Sequence, residues 1–182
     1  MELSIGVIEF TSIAHGIETA DTVLKAGRVE LDFAKPVCPG KFIIMIHGDV
    51  GAVNAAVAAG LITGGGSVVN HVIIPRIHHT LLPAINGTIE VPTLSALGVM
   101  EYFDITSAVI GADTVAKASQ VTLIEVRLGM GIGGKSFFKV CGQVSDVRTA
   151  VRVATEQACQ GGVLVASCVI PSPSPALFRE MM

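Results

Sequence analysis

The sequence contains itself twice, which constrains the fold more than any single motif does. Residues 5–32 (IGVIEFTSIAHGIETADTVLKAGRVELD) align without a gap on residues 97–124 (LGVMEYFDITSAVIGADTVAKASQVTLI). Gly6/Gly98, Val7/Val99, Glu9/Glu101, Ile13/Ile105, the A-D-T-V-x-K-A block, Val29/Val121 and Leu31/Leu123 are identical. After a two-residue shift, GKFIIMIHGDVGAV (40–53) matches GKSFFKVCGQVSDV (134–147). The tails IIPRIHHTLL and VIPSPSPALF then align again. Any fold assigned to one half must therefore suit the other. The turn-rich stretch Asn86–Thr93 reads as the join, giving domains at 1–90 and 95–182.

Each half carries the same pattern of elements. Ser4–Glu9 is a short apolar strand. Ser12 caps a helix with Ile13, Ile17, Ala20 and Leu24 at helical spacing. Val29, Leu31 and Phe33 alternate with polar or small residues, as in a half-buried strand. Phe42–Ile46 is continuously apolar, as a central strand would be. Val50, Val53 and Val57 mark a second helix, as do Val144, Val147 and Val151. Val68–Ile74 and Val163–Ile170 are the final strands. The order β-α-β-β-α-β predicts an α/β (α+β) chain of two tandem ferredoxin-like domains, each an antiparallel sheet with helices on one face.

Composition raises one difficulty, and the repeat resolves it. The chain is 51% hydrophobic and only 15% charged, with a mean hydropathy of +0.67. Val50–Pro75 has no charged residue and is long enough to span a bilayer. Gly64-Gly65-Gly66 interrupts it, however, and its second copy contains Asp146, Arg148, Arg152 and Glu156. Two copies of one element do not belong in different solvents, so no membrane is expected. The start MELSIGVIEF has neither a basic n-region nor a cleavage site, so no leader is expected. Cys38, Cys141, Cys159 and Cys168 lack a paired framework, which suggests reduced thiols in a cytosolic protein. With a net charge of −3 and no basic patches, nothing suggests a nucleic-acid binder, and none is expected.

The motifs IGVIE and LGVME, ADTVLKA and ADTVAKA, GDVGAV and IPRIHH together make the chain similar to tandem-domain, trimeric shell proteins of bacterial microcompartments. Within that family, Pro36-Val37-Cys38-Pro39-Gly40-Lys41-Phe42 resembles the T-type subgroup of propanediol-utilisation compartments. The resemblance implies a homotrimer forming a pseudohexameric disc that tiles into a shell facet. It places the loops with Val37, Cys38, Pro39 and Gly40 and with Met130, Gly131, Ile132 and Gly133 around a central opening. It also implies one [4Fe–4S] cluster per trimer, with Cys38 as its metal ligand and Pro39 and Gly40 beside it. Three axial thiolates would each hold one iron of a cubane, whereas protein-bound clusters usually have four Cys ligands. Lys25, Lys117 and Arg76 become lateral tiling residues, and Arg76 has only Ser172 as its counterpart. Expected partners are further copies, other shell proteins, and a redox enzyme in the lumen or a cytosolic electron carrier.

Other motifs carry less. Gly129-Met130-Gly131-Ile132-Gly133-Gly134 has the G-x-G-x-x-G form, but a strand follows it and not the helix that would meet a pyrophosphate. His78 and His79, adjacent in an extended segment, should point to opposite sides. Glu9 and Glu101 suit a structural role better than acid/base work. Cys141, Cys159 and Cys168 are expected in the core. No nucleophile–base–orienter set is visible, so no enzyme is expected. The alternatives are a shell protein whose loops form a metabolite pore, and a soluble ferredoxin-like electron carrier.

Overall fold

The computed structural model describes residues 3–91, 95–159 and 161–181. Pro92 and Thr93 of the expected join lie outside the described residues. The chain divides into two compact units, Met1–Ile77 with Gly129–Gly134, and His78–Leu128 with Lys135–Met182. Residues 78–90, grouped with the first half by sequence, cluster with the second unit.

The first unit contains β1 (Ser4–Phe10), α1 (Ile13–Ala26), β2 (Val29–Val37), β3 (Lys41–Gly48), α2 (Val50–Gly64) and β4 (Val68–Ile74). Its strands form an antiparallel sheet in the order β2-β3-β1-β4. Ser12 caps α1 as expected, its Oγ accepting the His15 N–H at 3.3 Å. One face of the sheet packs Ile8, Phe10, Phe42, Ile44 and Ile46 against Ala20 and Val23 of α1 and Val53, Ala56 and Val57 of α2.

Gly6 is required by this packing, because a Cβ there would lie 2.6 Å from a Val57 methyl. Its repeat, Gly98, faces Val140 and Val147 at 2.9 Å. The identity at this position therefore records helix-on-sheet contact in both halves.

Val50–Ser67 has the length and composition to cross a membrane. In the fold it is a sheet-packed helix burying Val53, Ala56, Val57, Gly60 and Gly64, and ending in a 3-10 turn at Gly65–Ser67.

The second unit contains α3 (Leu81–Ile85), β5 (Ala96–Tyr102), α4 (Ile105–Ala118), β6 (Thr122–Leu128), β7 (Ser136–Gly142), α5 (Val144–Cys159), β8 (Leu164–Ile170) and α6 (Pro175–Met181). Its sheet runs β6-β7-β5-β8, the same topology as the first. The register repeats as well, with Ser4 opposite Gly48 and Ala96 opposite Gly142. The short tail helices α3 and α6 were not expected from sequence. Of the three cysteines expected in the core, only Cys141 is buried. Cys159 ends a helix and Cys168 lies on the sheet-edge strand β8, and both are exposed.

Candidate functional site

The two halves differ most at the hairpin tips joining their second and third strands. In the first half, Val37 pairs with Lys41, leaving Cys38, Pro39 and Gly40 as the tip. In the second half, Leu128 pairs with Ser136, and Gly129–Gly134 turns before Lys135. The two-residue shift in the repeat is this longer turn. Gly129, Gly131, Gly133 and Gly134 all adopt positive φ, which suits glycine alone without strain.

The longer turn lies against the shorter tip. The Cys38 N–H donates to the Gly129 carbonyl at 3.1 Å, and the Gly40 N–H donates to the Val37 carbonyl at 3.0 Å. A Cβ on Gly134 would sit 2.7 Å from the Cys38 carbonyl oxygen and 2.8 Å from Pro39 Cδ, so only glycine allows this approach. The Cys38–Pro39 peptide is cis. Pro36, Val37, Cys38, Pro39, Gly40, Met130 and Gly131 line an open, mainly apolar cavity of about 420 Å³. Cys38 is a free, half-buried thiol, and Met130 is exposed. Ile132 is partly buried and Gly133 exposed. The expected tip residues thus meet around Cys38. Cys38 is the sole thiol lining the cavity. Among the described residues, no group of three or more His, Cys, Asp or Glu side chains is placed to hold a metal.

Each tip returns to its sheet through an ion pair that sequence reading missed. Lys41 Nζ donates to Glu9 Oε1 at 2.8 Å, and Lys135 Nζ to Glu101 Oε1 at 2.8 Å. The Gly-Lys steps at 40–41 and 134–135 were the available signal. Glu9 is fully buried, while the Glu101 side chain keeps 33% exposure. This explains why both glutamates repeat without acting as an acid/base pair.

None of the expected tiling residues lines the cavity at the tips. Lys25, in the last turn of α1, is exposed and pairs with exposed Asp21. Lys117, in the last turn of α4, pairs with Asp113, which is buried and also accepts the His78 N–H at 2.7 Å. Arg76 is exposed, with a φ of 50°. His78 and His79 do not point apart, because the chain turns there toward α3 and their ring centroids lie 4.3 Å apart, the planes tilted by 39°. Burial is the main cause of a lowered His78 pKa, followed by His79.

Two polar clusters complete the inventory, and each occurs in one half only. His47 Nδ1 lies 2.9 Å from Asp32, and its Nε2 lies 3.3 Å from Glu30. Burial raises the Asp32 pKa, while His47 opposes that shift. The matching second-half residues are Cys141, Ile124 and Thr122. In the second unit, a cavity of about 530 Å³ contains Glu125, paired with Arg127 at 2.7 Å and Lys139 at 2.6 Å. Glu180 also lines it, so two acids offset the two bases. Neither cluster has the nucleophile and general base of a hydrolytic site.

Comparison with known proteins assigns the scaffold. The BMC domain model matches twice, at residues 4–77 and 96–173. The bacterial microcompartment shell protein PduT of Citrobacter freundii is 44% identical over all of this chain and 99% of its own. The crystal structure of a microcompartment protein from Desulfitobacterium hafniense superposes with a TM-score of 0.92 at 47% identity, covering 98% of this chain and 99% of that one. The fused permuted hexameric shell protein MSM0275 shares the fold, with a TM-score of 0.65 at 24% identity over 87% of this chain and 82% of its own. The chain belongs to the BMC-domain family of bacterial microcompartment shell proteins, structural components and not enzymes.

Proposed function

We propose that this shell protein forms a homotrimer in which three Cys38 tips meet on the axis and together hold one [4Fe–4S] cluster. The observation that carries the reading is the half-buried Cys38 thiol on a short, tightly supported hairpin tip, with no second cysteine lining the cavity. One thiolate per chain is insufficient for a cubane, so the donor set fits only when copies share an axis. Gly134 and the Gly129 carbonyl fix the backbone on either side of the sulfur. Pro36, Val37 and Met130 supply apolar walls that limit water around it. When bound, the cluster supplies one-electron chemistry, and the function is electron or cluster transfer across the shell. Partners of matching chemistry are a redox enzyme in the lumen or an electron carrier in the cytosol. Lys25, Lys117 and Arg76 lie at the lateral edges and join neighbouring trimers.

Anaerobic purification tests the axial site. The expected product is brown, with ~4 iron and ~4 sulfide per three chains, and Cys38→Ser is colourless but still trimeric. A wild-type trimer that stays colourless and iron-free after reconstitution would overturn the cluster and leave an axial metabolite pore.

A further inference from the structure

The groove between the first helix and the second strand is filled in one half and empty in the other. In the second unit α3 lies against β6 and α4, with Leu81 and Ala84 buried. The His78 N–H anchors the turn before it to Asp113. Ile105, Val109 and Leu123 in that groove have no exposure. Their repeat positions in the first unit are bare, with Ile13 39%, Ile17 58% and Leu31 41% exposed. Asp21, the repeat of Asp113, has a side chain 64% exposed, against 5%. The same residue types are thus core in one copy and surface in the other.

The segment that matches α3 is present, and its apolar side is uncovered although Glu180 lines the cavity of its own unit. Helix α6 follows β8 as α3 follows β4, and the tail alignment sets Leu177 on Leu81 and Ser174 on His78. The turn before each helix also repeats, since Leu81 N–H bonds to the His78 carbonyl and Leu177 N–H to Ser174 Oγ. Leu177 is 39% exposed, whereas Leu81 is buried. Charge changed on both sides together. Exposed Glu18 and Arg28 of the first half match Ile110 and Gln120 of the second, and α6 carries Arg179 where α3 has Pro83.

We infer that α6 of one chain docks in the α1–β2 groove of a second copy, with Leu177 seated against Ile13, Ile17 and Leu31 and the Ser174 N–H on Asp21. This rests on the self-assembling shell reading and names the surface that joins the copies. The contact is heterologous, tail into groove, so it repeats from copy to copy until the ring closes.

The test co-expresses two differently tagged chains, one carrying Ile17→Cys and the other Leu177→Cys, both with exposed Cys159 and Cys168 changed to Ser. A short bis-maleimide should join residue 17 of one tag to residue 177 of the other, identified by peptide mass. Leu177→Asp, and separately Ile17→Asp, should weaken assembly at least tenfold by native mass spectrometry. Both sites are exposed in the single chain, so folding, checked by circular dichroism, should persist. An assembled wild type that gives no 17–177 link and is unaffected by either aspartate would overturn the docking and leave the shell reading intact. A wild type that stays monomeric at high concentration would overturn both.

Discussion

The two hairpin tips show where duplicated domains diverge. Both hang from sheets of matching topology and register, and both return through a lysine bound to a repeated glutamate. One tip is a three-residue turn around a thiol, and the other a glycine-rich turn packed behind it. The sheets cannot change without misplacing a core face, because a one-residue slip reverses every side chain. The tips lie outside that register and have diverged in length and composition.

That contrast can be tested first by filling the close approach. Gly134→Ala combines a positive φ with a Cβ 2.7 Å from the Cys38 carbonyl. The expected cost is about 3 kcal/mol. Gly133→Ala has an equally unfavourable φ but open space around it, and should cost about 1 kcal/mol. Urea unfolding of the two variants measures the difference, and equal losses would mean that the contact with Cys38 is unimportant.

The ion pairs below the tips should also be unequal. Glu9→Gln leaves Lys41 facing a buried site without its charge partner, and about 2 kcal/mol should be lost. Glu101→Gln, at a pair partly open to solvent on both sides, should cost under about 1 kcal/mol. Matching losses in chemical denaturation would break the asymmetry.

The lysines sharpen it further. Lys117→Met removes a partner of buried Asp113, which keeps the His78 N–H, so about 1 kcal/mol should be lost. Lys25→Met, at an exposed pair, should be near neutral. A Lys25→Asp/Lys117→Asp double variant should stay trimeric yet form no sheets in electron micrographs, and normal sheets would remove both lysines from the tiling edge.

The smallest effect concerns pH. His78 titrates lower in the folded than in the unfolded chain, so the unfolded chain binds the proton more readily. Stability should therefore fall as pH drops through the unfolded value near 6.5, and level off once folded His78 is protonated too. The groups facing it are His79, Asp113 and Lys117. His78→Gln should flatten this part of the thermal stability profile, and an unchanged profile would exclude His78 as its source.

Much of the fold was legible because two copies checked each other. The charged second helix, with Arg152 and Glu156, corrected the membrane reading that Val50–Ser67 invites. Ser12 announced its cap, and the shift at Gly134 located the longer turn. Other features depend on information that one strand lacks. Alternation shows that Cys168 has a face but not whether anything covers it. The Glu9–Lys41 pair depends on β1–β3 register, and residues 9 and 41 are distant in sequence. His78 and His79 were read as extended because the short helix after them, containing Pro83, has too few residues for a periodic signal.

The bond from the Cys38 N–H to the Gly129 carbonyl has a consequence for how such chains can evolve. A protein made of two first halves would replace the glycine-rich turn with a second thiol-bearing tip. A protein made of two second halves would have no thiol at either tip. The halves repeat in sequence, yet at this contact each tip complements the other. Recombination that restores sequence symmetry would therefore remove this pairing of unlike tips.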